Sequence, residues 1–231
     1  MSLSSIYLLA DSQLLFWRDS DGTLLLDSSK TGVKTESANA SYLGASNGDD
    51  PAYYSIFEAA MEILGVTRRR MIPSSFSGDD AEFLANSEII LLAGGDAVSG
   101  WQTFTSNGAR EAVMARYIEG ALFIGVSAGA LQLGLCAYPD GDFSGEDLVE
   151  TFKFVPLIIG AHDEKREWES LKKAVYLTGD GAQGVGIPAG GGAIYHPDGS
   201  LSPVRYPLDL FSLAEQQLSH SLLLTQDAPR T

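Results

Sequence analysis

Gly125-Val126-Ser127-Ala128-Gly129 stands between the apolar run Ala121-Leu122-Phe123-Ile124 and the helix-compatible Ala130-Leu131-Gln132-Leu133. A serine on a strand-to-helix turn, flanked by glycines, has the layout of a nucleophile elbow: small neighbours let the chain turn sharply and lift the hydroxyl clear of the sheet. The helix that follows would aim free backbone N–H groups and a partial positive charge at an oxyanion formed there. The competing reading is a Gly/Ala/Ser turn chosen for tight packing. A second turn, Gly94-Gly95-Asp96, ends the apolar run Ile89-Ile90-Leu91-Leu92-Ala93. Parallel strands present their carboxyl ends on one edge of a sheet. The Gly94-Gly95 turn can therefore offer a backbone N–H beside Ser127, which with that of Ala128 would make a two-donor oxyanion hole.

A serine needs a base, and the chain has 3 histidines, His162, His196 and His220. His162 follows Phe154-Val155-Pro156-Leu157-Ile158-Ile159 and Gly160-Ala161, which places it at a strand end. An imidazole there can take the serine proton at neutral pH. His196 precedes Pro197-Asp198-Gly199, a hairpin turn, and His220 lies near the C-terminal end, where a packing or surface role is the simpler reading. Cys136, the sole cysteine, forms neither an internal disulfide nor a multi-thiolate site and stands beyond the elbow, so it is not the nucleophile. Three scattered histidines and one cysteine offer no zinc cluster, and neither metal nor cofactor is called for.

The elements that must position these residues follow from periodicity. Short apolar runs at 6–10, 42–45, 67–72, 89–93, 122–126, 184–187 and 193–196 read as strands. Helices are expected from Pro51 to Leu64 behind the Asp49-Asp50 cap, over 109–119, directly after Ser127, and over 163–175 with Trp168, Leu171 and Val175 on one face. Strands alternating with helices predict an α/β fold, a mostly parallel sheet with helices on both faces, in one domain over 1–231. Asp21-Gly22 and Asp198-Gly199 mark hairpin turns, 137–150 is a polar Gly-rich surface loop, and the tail 226–231 is expected to fray.

Composition narrows the function. The 231 residues carry 30 acidic and 15 basic side chains, a formal charge of −15, which repels phosphate backbones and anionic lipid. With 45% hydrophobic residues and no run long enough for a membrane span, the chain reads as a folded protein without membrane contact. The first residues lack the basic region of a secretory signal, and a cytoplasmic setting is expected. A small peptide is the expected partner, nucleic acid and membrane are not, and a homodimer is compatible with the chain.

These pieces, in this order, resemble the peptidase E and cyanophycinase family of serine peptidases. The resemblance rests on the strand at Tyr42-Leu43-Gly44-Ala45, on Gly94-Gly95-Asp96, on Gly125-Val126-Ser127-Ala128-Gly129-Ala130, and on His162 followed by Arg166 and Leu171. It implies a class I glutamine amidotransferase-like fold, Ser127 as nucleophile, His162 as its base, and Gly95 and Ala128 as oxyanion donors. It also implies cleavage of peptide bonds next to aspartate. Two positions depart from the family pattern: Asp96 stands where asparagine is usual, and Ala189 stands where the acid orienting the histidine is expected. Asp140, Asp142, Glu146, Asp147 and Asp163 are the alternative carboxylates. Arg166, Lys165, Arg110 and Arg116 are candidates to bind an acidic side chain, whereas Arg68-Arg69-Arg70 reads as an exposed edge. Two other readings compete: a diverged binding paralogue that does not cleave, and an α/β-hydrolase esterase using His220.

Overall fold

The computed structural model of the chain describes residues 3–139 and 141–225. In chain order the strands are β1 (Ile6–Leu9), β2 (Asn39–Leu43), β3 (Arg68–Ile72), β4 (Ile89–Leu92), β5 (Leu122–Val126), β6 (Cys136–Ala137), β7 (Val149–Glu150), β8 (Ile158–Ala161), β9 (Gln183–Ile187), β10 (Gly192–Tyr195), β11 (Leu201–Val204), β12 (Leu208–Ala214) and β13 (Gln217–Leu223). The helices are α1 (Ser28–Thr31), α2 (Pro51–Ile63), α3 (Gly78–Ala85), α4 (Ala97–Asn107), α5 (Ala109–Ile118), α6 (Ala128–Leu133) and α7 (Glu169–Thr178).

A 7-stranded sheet has the order β11-β10-β1-β5-β4-β2-β3, in which β1, β5, β4, β2 and β3 run parallel and β10 lies antiparallel to both its neighbours, β1 and β11. β1, β4 and β5 read as unbroken apolar runs because both their faces are covered, and every residue in them is buried. Period-2 alternation divides that burial. Tyr7, Leu9, Ile124 and Val126 pack with Phe57 and Met61 of α2 on one face. Leu8, Leu92 and Phe123 pack with Trp101, Phe104 and Val113 of α4 and α5 on the other.

The second sheet, 4-stranded in the order β13-β12-β9-β8, was not anticipated from periodicity. Trp168 and, from α7, Leu171, Ala174 and Val175 cover it. Ile159, Val185, Ile187 and Leu208 from this sheet belong to the same core cluster as Leu8 and Leu92, so the two sheets share packed interior. His162 comes from this second sheet and Ser127 from the first.

Several boundaries differ from expectation. The strand expected at 42–45 is shifted to Asn39–Leu43, since Gly44 opens a 3₁₀ turn over Ala45–Asn47. The single helix expected over 163–175 is broken. The Asp163 carbonyl accepts from both Arg166 N–H and Trp168 N–H, Glu167 and Trp168 take left-handed conformations, and α7 starts only at Glu169. That break turns Trp168 inward, where it is buried. The loop at 137–150 contains the short β6–β7 ladder. Arg68–Arg70 lie within β3, the edge strand. Their guanidinium groups are engaged locally, with Ser37, Val66 and Asp80. The tail 226–231 lies outside the described residues. Among the described residues, no helix is long and apolar enough to cross a membrane.

Candidate active site

β5 lies between β1 and β4, with Gly125 opposite Leu8 on one side and Leu92 on the other. The chain leaves this central strand through Ser127, whose φ of 49° and ψ of −110° are rare for a residue with a Cβ. Such a conformation costs on the order of 1–3 kcal/mol and persists only where its surroundings over-determine it. Here the Ser127 N–H donates to Leu9 O at 2.8 Å, and the Ser127 carbonyl accepts from Ala130 and Leu131. Gly129 is required by close approach: a Cβ there would lie 2.1 Å from Leu92 O. α6 therefore sits against the backbone of β4, and the Ser127 hydroxyl is held above the sheet edge.

The Gly94-Gly95 turn after β4 closes on the same point. A Cβ built on Gly94 would lie 3.4 Å from Ser127 Cβ. Gly95 has φ 130°, and a Cβ on it would fall 2.0 Å from Ser46 O, the atom that accepts the Asp96 N–H at 2.7 Å. Only glycine fits that corner. The Asp96 carboxylate caps α4 by accepting from Ser99 N–H at 2.8 Å, so its charge is held at a helix N-terminus. The Ala128 amide opens α6 and has no intrahelical acceptor. Both Gly95 and Ala128 line the cleft at Ser127.

Gln132 was not singled out in the sequence, yet it ties these pieces together. Its side chain is fully buried, and Nε2 donates to Ser46 Oγ at 3.0 Å and to Ala97 O at 2.9 Å. One amide thus joins the helix behind Ser127 to the start of α4 and to the residue whose carbonyl confines Gly95. The available signal was a lone polar residue in the apolar run of α6.

His162 follows β8, with φ 47° and its N–H donating to Ile187 O at 2.9 Å. Its Nε2 lies 2.7 Å from Ser127 Oγ. With the proton on Nδ1, Nε2 accepts from the hydroxyl, the geometry for general-base removal of the serine proton. Among the described residues, no carboxylate is hydrogen-bonded to this ring. Asp142 pairs with Lys173, Asp147 closes a capping box with Ser144, and Glu146 lies in the same exposed turn. Asp163 Oδ1 accepts from Arg166 Nε at 2.6 Å, and its Oδ2 is buried with no partner among the described residues. Asp140 lies outside the described residues. At Ala189, where an acid was expected, the backbone N–H instead donates to Glu164 Oε2 at 3.3 Å. Thus a carboxylate two residues after His162 approaches the turn after β9.

The other titratable candidates lie elsewhere. His196 sits between Ser5 and Ser202, and His220 stacks on Phe211 with Nε2 2.7 Å from Asp209 Oδ1. Neither lines a cleft at Ser127. Burial pushes the Cys136 thiol up to about 11, so it is no nucleophile at neutral pH. Among the described residues, no group of three or more His, Cys, Asp or Glu side chains is placed to hold a metal ion.

Two clefts meet at Ser127, His162 and Gly95. The larger, about 630 Å³, is lined by Ala128, Tyr138, Asp163, Lys165 and Arg166 among others. The smaller, about 280 Å³, is lined mainly by Leu15, Tyr42, Tyr53, Ile56, Phe57 and Val126. Of the four candidate cations, Lys165 and Arg166 face the larger cleft. Arg110 lies over the Trp101 ring, and Arg116 is held by Ser87 O and Glu119.

The fold has counterparts among solved structures. The chain is similar in structure to a peptidase from an acI-B1 Actinobacterium, with a TM-score of 0.69 and 14% identity, covering 98% of this chain and 96% of that one. It is also similar to a peptidase E candidate from Listeria monocytogenes EGD-e, with a TM-score of 0.56 and 14% identity, covering 96% of this chain and 100% of that one. At that identity the likeness is one of fold. No curated protein matches the chain by sequence. The pattern of peptidase family S51 matches residues 35–201, a span that takes in Gly95, Ser127 and His162. The chain belongs to peptidase family S51.

Proposed function

We propose that the chain is a serine exopeptidase of dipeptidase type, with Ser127 as nucleophile and His162 as base. The observation that carries this reading is the 2.7 Å separation of Ser127 Oγ and His162 Nε2 at a strained elbow. In the first step Oγ attacks the scissile carbonyl carbon as His162 takes its proton. The oxygen of the tetrahedral intermediate gathers negative charge between the Gly95 and Ala128 amides. His162 then gives the proton to the departing amine, leaving an acyl group on Ser127. Water, deprotonated by the same imidazole, releases the acid and restores the hydroxyl.

Lys165 and Arg166 on the larger cleft supply positive charge for an anionic substrate group, either an aspartyl side chain or a terminal carboxylate. Hydrolysis of short aspartyl peptides, followed by release of free amino acid, tests the reading. Wild type is expected to turn over and Ser127→Ala to lose at least about 10³-fold in rate. Equal rates for the two would overturn it.

A binding role without cleavage is the competing reading. The observation favouring it is the lack of a carboxylate on the His162 ring among the described residues, since that acid fixes the tautomer and stabilises the imidazolium. On that reading, wild type releases no amino acid from any of the peptides, and Ser127→Ala leaves ligand affinity unchanged.

A further inference from the structure

The smaller cleft has chemistry opposite to that of the larger one. Among the described residues, no lysine or arginine lines it, and the one acidic group there, Asp11, has both oxygens engaged, Oδ1 by Gln13 N–H at 3.0 Å and Oδ2 by Gly190 N–H at 2.7 Å. Asn47 is likewise occupied, its Nδ2 donating to Tyr42 Oη at 2.8 Å. With these polar groups already satisfied inside the protein, what the cleft offers a ligand is chiefly apolar surface from Ile56 and Tyr53, with Leu15, Phe57 and Val126 of its lining buried behind them. Tyr53, on the first turns of α2, stands at the rim with 53% of its surface exposed. An exposed aromatic ring beside an apolar hollow is surface that an apolar ligand would cover.

The hollow also has a defined relation to the chemistry. Gly95, Ser127 and His162 line both clefts, so a chain whose scissile carbonyl sits at Ser127 has one flanking residue on each side. At roughly 30 Å³ per water, 280 Å³ is the space of about nine waters. That suits one benzyl or isobutyl side chain rather than an extended peptide. The Asp11 carboxylate, fixed in place, disfavours an anionic group there.

We infer that the smaller cleft is the subsite for a large apolar side chain, so that the preferred substrates are short peptides joining an acidic residue to an aromatic or branched aliphatic one. This inference rests on the peptidase reading above. Burying such a side chain in place of a hydrogen is expected to raise kcat/KM by about 10- to 100-fold.

The test measures kcat/KM on Asp-Phe, Asp-Gly, Phe-Asp and Gly-Asp, for wild type, Ile56→Arg and Tyr53→Ala, with fluorophosphonate labelling of Ser127 followed in parallel. The expected result is a 10- to 100-fold preference for phenylalanine over glycine in one of the two orders. That order identifies the side of the scissile bond the cleft serves, and the preference should collapse toward unity in Ile56→Arg and weaken in Tyr53→Ala. Labelling in each variant marks it as folded, and Tyr53→Ala alters an exposed ring should Ile56→Arg fail to fold. A labelled wild type that treats phenylalanine and glycine peptides within about twofold, or a preference untouched by both variants, overturns the subsite. A wild type that neither labels nor hydrolyses any peptide overturns the peptidase reading, and the subsite with it.

Discussion

Ser127 and His162 meet across 2.7 Å but come from sheets built in different ways. Ser127 leaves the centre of the 7-stranded sheet, on a strand buried along its whole length and paired on both sides. His162 leaves β8, the edge of the 4-stranded sheet, and is followed at once by a 3₁₀ turn and two left-handed residues. The proposed nucleophile is thus fixed by packed backbone, with Leu92 O against Gly129 and Ser46 O against Gly95. The proposed base is fixed by a few hydrogen bonds at the end of β9 and the turn after it, from His162 N–H to Ile187 O and from Ala189 N–H to Glu164. The two halves of the proposed dyad should therefore fail differently when perturbed.

The largest effect is expected on the nucleophile side. Gly95→Ala places a Cβ against Ser46 O, displaces a proposed oxyanion donor, and should lower kcat by about 10²- to 10³-fold with little change in KM. Steady-state kinetics together with thermal unfolding separate this from simple loss of fold. On the base side, Glu164→Ala removes one partly exposed hydrogen bond, worth about 1 kcal/mol, and should cost only a few-fold in kcat. Glu164→Gln keeps an oxygen acceptor and should recover most of that rate. A loss with Glu164→Ala as large as that of Gly95→Ala would reverse the comparison and mark Glu164 as the missing orienting acid.

Two further predictions concern the molecule as a whole. Burial pushes Cys136 up to about 11 and Tyr7 up to about 12, above their ordinary values of 9.0 and 10.0. The unfolded chain loses these protons first, so stability holds below about pH 9 and falls as pH rises toward 11 and 12, by roughly 1.4 kcal/mol per pH unit for each group. Urea titrations from pH 8 to 11 should show that decline, and Cys136→Ala should make it shallower. The smallest effect is electrostatic. A charge of −15 repels an acidic peptide at long range, so kcat/KM for Asp-Phe should rise about twofold from 0.01 to 0.15 M salt as screening shortens.

Much of the candidate site was legible because its signals are local. Ser127 with its glycines, and Gly94-Gly95 at the end of an apolar run, are contiguous residues whose types only a sharp turn or a close approach explains. The parallel strands were legible for the same reason, since burial on both faces leaves unbroken apolar runs in β1, β4 and β5. α4 was missed because Gly100, Ser99, Thr103 and Thr105 are poor helix formers. It is helical because Asp96 caps it and Trp101 and Phe104 bury one face. β12 and β13 alternate apolar and polar residues too weakly to stand out, and they became strands by pairing with β9 and each other. The acid expected at Ala189 could not be replaced from sequence, because the approach of Glu164 to that turn depends on how the 163–168 segment coils. The role of Gln132 is equally tertiary, since Ser46 lies 86 residues away.

The most direct measurement of the central claim is fluorophosphonate labelling with peptide mapping, applied to wild type, Ser127→Ala and His162→Ala. Labelling confined to Ser127 in the wild type, absent in Ser127→Ala and slowed at least about 10²-fold in His162→Ala, is the predicted result. Modification of another residue, or labelling of Ser127 at an undiminished rate without His162, would contradict it.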